Sequence, residues 1–168
     1  MGGIILWIFP WRGQYEITVN LLEDLWNRNL VNLFATPVKF AEWVITLMLV
    51  GIFKSTISFG FASIIAILLY ATNIYTLGIS LLPWAGILII FGWVFGLFIS
   101  GVIMRYGTKI QTLAWTSIHV ISPFVGVYYP VSTLPDWAQA VSRWIPASYV
   151  FEAMRSSVSG TPVPLGEL

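Results

Sequence analysis

Residues 21–37 read LLEDLWNRNLVNLFATP, and long apolar runs follow them. At about 100° per residue, Leu22, Leu25, Trp26, Leu30 and Leu33 share one arc. Asn20, Glu23, Asp24, Asn27 and Arg28 share the opposite arc, with Asn29, Val31 and Asn32 interrupting the pattern. Pro37 disfavours helical geometry at Thr36. The stretch therefore predicts an amphipathic helix over 14–36, closed by Thr36-Pro37 and lying outside the lipid. A helix flat in the headgroups is one reading. Such helices carry Lys and Arg on the polar face, whereas this one shows Glu23 and Asp24 against a single Arg28. An acidic face suits a protein partner better than anionic lipid.

Working outward, the chain has 168 residues, 58% hydrophobic and only 9% charged. Soluble domains carry about a quarter charged residues, so a mean hydropathy of +0.85 points to lipid as the solvent. The net charge of +1 provides no field for nucleic acid. The absence of cysteine excludes disulfides and thiolate metal sites. In residues 1–11 no positive charge precedes the apolar IILWIF and no small-residue cleavage site follows it, so the opening does not resemble a signal peptide.

A helical crossing needs roughly 20 apolar residues. Three segments meet this: 43–71, 81–104 and 110–129. The fold class expected is all-α, a polytopic membrane bundle. The opening GIILWIFPW is too short to cross and reads as the tail of a further span. The end, SYVFEAMRSSVSGTPVPLGEL, is too polar to cross. The chain is expected to be a single membrane domain, incomplete at both ends. Arg12, Arg28 and Lys39 precede the first full span, and Arg105 and Lys109 separate the second from the third; both connections are expected on the cytoplasmic side. The uncharged TNIYTLGIS (72–80) and the segment after Tyr129 are expected outside.

Lys54 falls inside the first span, which at roughly 43 Å is long for one upright crossing. Two placements stand. The favoured one has Lys54 snorkelling to the inner interface, where Ser55, Thr56 and Ser58 also suggest an interfacial zone. The other has it facing the bundle interior, where an ionisable residue marks a pathway.

Small residues recur in the second span at Gly92, Gly96 and Ser100. That period allows close helix approach, within the chain or at a dimer interface. In the third span, Thr112, Thr116, His119, Ser122 and Gly126 fall on one face, a stripe expected to meet protein or a water-filled path. Pro123 cannot donate to the His119 carbonyl, so an imidazole, a hydroxyl and an open carbonyl form a candidate substrate-path notch. A histidine bonded to a neighbouring helix is the plainer reading. Thr133 and Pro135 start a short helix over 134–144, with Trp137, Val141 and Trp144 on one face at the outer interface. Glu152 and Arg155 are spaced to pair. GIFKS (51–55) is not a phosphate loop, because Phe53 stands where such a loop needs glycine. No motif of the chain binds ATP.

Three stretches together carry a family likeness: LLEDLWNRNLVNLFATPVKFAEW, ISGVIMRYGTKIQTLAW and SPFVGVYYPVSTLPDWAQAVSRWIPASYVFEAMR. They resemble the permease domain of the type-2 family of ATP-binding-cassette transporters, from about Glu16 to Arg155. The most specific parts are the charged helix ending at Thr36-Pro37 and the pattern Tyr129-Pro130, Leu134-Pro135, Trp137, Ile145-Pro146, Tyr149, Glu152 and Arg155. The resemblance implies a multi-pass exporter subunit in the plasma (inner) membrane, paired as a homodimer and docked on a cytoplasmic cassette ATPase. ATP would be bound by that partner and not by this chain, which would carry no cofactor of its own and no catalytic or metal site. The helix at 14–36 would be the coupling helix, with Glu23, Asp24, Asn27, Arg28, Thr36 and Pro37 facing the ATPase. Two other classes are open: an intramembrane enzyme using His119, and a membrane scaffold or sensor that transports nothing.

Overall fold

The computed structural model describes residues 2–71 and 74–159, and among these it is helical throughout with no strand. The chain opens with α1 (Gly2–Leu6), which continues almost without a break into α2 (Ile8–Trp26). The junction sits at Trp7 because Pro10 has no N–H to donate to the carbonyl of Leu6. Trp7 keeps helical dihedrals, and its own N–H bonds the Gly3 carbonyl at 2.9 Å. Then come α3 (Leu30–Ala35), α4 (Phe40–Tyr70), α5 (Leu81–Tyr106) and α6 (Thr112–Val125). Two further helices follow, α7 (Asp136–Ser142) and α8 (Pro146–Ser159).

The expected single helix over 14–36 is instead divided. α2 stops at Asn27, because Arg28 turns into the left-handed region at φ 53°. The Asn29 N–H reaches back to the Asp24 carbonyl (2.8 Å) and the Arg28 N–H to that of Leu25 (3.2 Å). These two bonds are the reciprocal pair of a Schellman C-cap, which glycine usually supplies. With arginine in that position, the sequence carries no glycine signal for the stop. Thr36 and Pro37 then form the bend that leads into α4.

Residues 14–22 are also far from a surface helix. Gln14, Ile17, Thr18 and Leu22 are fully buried, and Glu16 is 1% exposed. α2 is the central strut of the bundle, packed mainly on α5 and α4. Small residues make this possible. A side chain at Gly92 would meet the backbone of Pro10, one at Gly96 the backbone of Gln14, and one at Gly13 the carbonyl of Ile89. The stripe Gly92–Gly96–Ser100 is thus taken up by packing inside the chain, with all three residues buried.

Two helical stretches, Phe40–Tyr70 and Leu77–Ile110, are long and apolar enough to cross a membrane. α4 turns Ile45, Leu49, Phe53, Ile57, Phe61 and Leu68 outward, an exposed apolar face of the kind that marks a lipid or protein contact. The expected third span over 110–129 is shorter in the structure. α6 has 14 residues, roughly 21 Å, against a hydrocarbon layer of about 30 Å. Gly126 ends it at φ 75°, and the chain folds back over the bundle.

The fold-back is held by named polar contacts. Ser142 Oγ donates to the Phe124 carbonyl, and Arg155 donates to that of Gly126. Glu152 pairs with Arg155 at 2.8 Å and accepts the Val131 N–H at 2.9 Å. Phe151, fully buried, then packs beside Trp7, their ring centroids 6.1 Å apart. α7 is the core of the helix expected over 134–144. Its Ala138 and Ser142 face inward, while Trp137 and Trp144 stay exposed.

Candidate functional site

α2 carries Gln14, Glu16 and Thr18 into the middle of the bundle, where each makes at least one hydrogen bond. The Gln14 amide donates to the α6 carbonyl of Ala114 at 2.8 Å and to Thr18 Oγ1 at 2.8 Å. Thr18 returns its hydroxyl to the Gln14 carbonyl at 2.9 Å. A buried amide left without such partners costs about 1–3 kcal/mol, so these bonds hold α2 and α6 in register.

At the same level of α2, on the face toward α4, lies a charged cluster. Glu16 Oε2 accepts from Lys54 Nζ at 2.7 Å, and Glu16 Oε1 lies 3.7 Å from the Arg12 guanidinium. Asn20 donates to the Glu16 carbonyl at 2.6 Å. The Arg12 guanidinium also sits 5.0 Å over the Trp11 ring. Lys54, near the midpoint of α4, keeps half of its side chain exposed. An acid one helix away holds it, and a Cβ added at Gly51 would stand 3.7 Å from the Glu16 Cγ, in ordinary contact. Arg12, expected in a cytoplasmic connection, likewise lies halfway down the α1–α2 strut.

At the end of α2 the strut touches the base of α6. Trp26 Nε1 donates to Gln111 Oε1 at 3.1 Å, and its ring lies 6.1 Å from that of Trp115. This contact places Arg28 at the same end of the bundle as Lys109. The turn below it is open. Glu23, Asn27, Arg28 and Asn29 are exposed, as are Thr36 and Pro37. Val31 is 76% exposed. Asp24 is committed locally, since its carboxylate accepts from Asn29 at 3.1 Å.

The stripe on α6 divides. Thr112, Thr116 and His119 are exposed on the outside of the bundle, whereas Ser122 is buried. The carbonyl of His119 that Pro123 leaves open is taken by the Ser122 hydroxyl at 2.8 Å. Thr116 bonds back to the Thr112 carbonyl at 2.9 Å. The notch expected at 119–123 is thus closed locally, and His119 itself is exposed. No group of three or more metal-ligating side chains gathers among the described residues.

No family model, curated protein or solved structure matches the chain.

Sequence reasoning did not reach the pairing of Glu16 with Lys54 or the tie from Gln14 to α6. The signal was present in part: Arg12 and Glu16 stand four apart, the spacing of a helical ion pair. What was missing is that α2 runs through the core, so that its polar residues require partners.

Proposed function

We propose that this chain is the membrane permease subunit of an ATP-binding-cassette exporter, a multi-pass plasma (inner) membrane protein whose ATP-binding partner is a separate cytoplasmic ATPase. The observation that carries the reading is the continuity of α2. One helix runs through the centre of the bundle, is bonded to α6 at Gln14 and Trp26, and ends directly in an exposed charged turn. A push on that turn moves the strut as a rigid body, because its polar and glycine contacts leave no slack. The exposed surface around the turn combines Glu23, Arg28 and Val31, a mixture suited to a protein partner. The basic residues Arg105 and Lys109 at the same end support a cytoplasmic orientation.

The outward position of Thr112, Thr116 and His119 favours a conduit formed between two copies over one inside a single chain. Polar side chains facing out of an apolar bundle require a polar counterpart, and a second copy presenting the same stripe provides one.

The direct test is association and coupling with a cassette ATPase, sought first in the genes beside the protein's own. Glu23→Arg is expected to leave membrane insertion intact, weaken copurification with the ATPase at least tenfold and uncouple ATP hydrolysis from export. Copurification unchanged by this substitution overturns the docking assignment. Trp26→Ala is expected to preserve ATPase binding but reduce transport several-fold, because it cuts the link from the turn to α6. An equal loss of binding and transport in this variant contradicts the strut's role.

A further inference from the structure

An apolar cleft of about 520 Å³ opens between α1–α2, α4 and α5, lined by Leu6, Phe9, Phe59, Gly60, Leu82 and Gly86 among others. Its volume is within the range of small-ligand sites, about 300–1,000 Å³. The inner edge, at Ile52, Ser55 and Ile89, abuts the charged cluster. Ser55 follows Lys54 on α4, Phe9 lies one turn before Arg12 on α2, and Ile89 touches Gly13.

The cluster is not balanced. Arg12 and Lys54 share a single carboxylate, Glu16, and the other acids of the described chain are at least seven residues along the sequence from any member of the cluster. Around the cluster, two donors, Arg12 Nε and Trp93 Nε1, and one acceptor, Glu16 Oε1, are buried without hydrogen-bond partners. Trp93 Nε1 lies 3.7 Å from where a side chain at Gly51 would begin, beside the Glu16 methylenes. Lys54 keeps half its side chain exposed. An unbalanced positive charge near the middle of a long apolar helix is unfavourable unless an anion reaches it. An apolar body that carries one anionic group meets both requirements.

We infer that the cleft and the Arg12–Glu16–Lys54 cluster form one binding site for a small anionic amphiphile, its apolar body between α4 and α5 and its anionic group on Lys54 and Arg12. The site adds a ligand class to the exporter reading. It depends on the bundle and not on the ATPase, so binding and ATPase docking fail or succeed separately.

The test is saturation binding of radiolabelled oleate to the full chain in nonionic detergent, with unlabelled oleyl alcohol and phosphatidylglycerol as competitors. Oleate is expected to bind saturably at one site, with oleyl alcohol about tenfold weaker, the effect of losing one charge-assisted hydrogen bond. Lys54→Gln should weaken oleate toward the alcohol. Glu16→Gln should tighten it, a gain that a purely structural ion pair does not give. A side chain added at Gly60 or Gly86 meets no atom within 4 Å. Gly60→Leu and Gly86→Leu should therefore fill the cleft without disturbing the fold, and abolish binding. Equal affinity for oleate and the alcohol overturns the inference, as does binding unchanged by either leucine. Displacement of oleate by equimolar phosphatidylglycerol also overturns it, making the cleft a seat for bulk lipid. So does a disulfide between Gly60→Cys of two copies, which makes the cleft an interface.

Discussion

Replacing Lys54 by leucine should lower the stability of the bundle by about 3 kcal/mol, read as a fall in thermal midpoint of the detergent-solubilised protein. Glu16 is 1% exposed and its closest cation is Lys54, at 2.7 Å. Removing one partner of a buried pair typically costs about 3–5 kcal/mol. The lower end applies because Lys54 itself is half exposed and Arg12 remains 3.7 Å away. The double substitution Glu16→Leu with Lys54→Leu should recover part of the loss, since it avoids desolvating those two charges but leaves Arg12 without its carboxylate. A single substitution with no effect would mean that Lys54 reaches water without Glu16 and that the two helices are not joined there. A double variant no more stable than the single would show that the leucines do not pack between α2 and α4.

The second large effect is expected at Gly92. A Cβ there would stand 2.8 Å from the Pro10 Cα and closer still to its carbonyl oxygen. Both are backbone atoms within helices and cannot swing aside. Gly92→Leu should cost more than about 4 kcal/mol and prevent stable folding, and Gly92→Ala should cost about 2–3 kcal/mol. Gly101 is the matched control on the same helix, because a side chain there meets nothing within 4 Å. Gly101→Ala should leave stability unchanged or raise it by up to about 1 kcal/mol. Comparable melting of the two alanine variants would show that α2 does not lie against α5 at Pro10.

The helical class and the positions of α4 and α5 were legible in the sequence, since twenty-odd apolar residues in a row admit few other structures. The small-residue period at Gly92 and Gly96 was legible as close packing, though not which helix fills it. Other features were hidden for identifiable reasons. The stop after Trp26 lacks the usual glycine because Arg28 accepts the left-handed conformation in its place. The amphipathic pattern of 20–33 suggested one surface helix, but a pattern of arcs cannot show that the residues before it are enclosed on several sides. Ser122, read as part of an open notch, instead closes it by bonding the carbonyl that Pro123 frees.

The sequence alone determined the helical class, two runs long and apolar enough to cross a membrane, and the charged character of residues 23–28. Each follows from composition or from local periodicity, which act on neighbouring residues. Tertiary structure alone decided that α2 is a central strut, that Lys54 answers to Glu16, and that Gln14 and Trp26 join α2 to α6. Those contacts link residues 38 to 100 positions apart. A buried polar group finds its partner by spatial proximity, which the order of the chain does not encode locally.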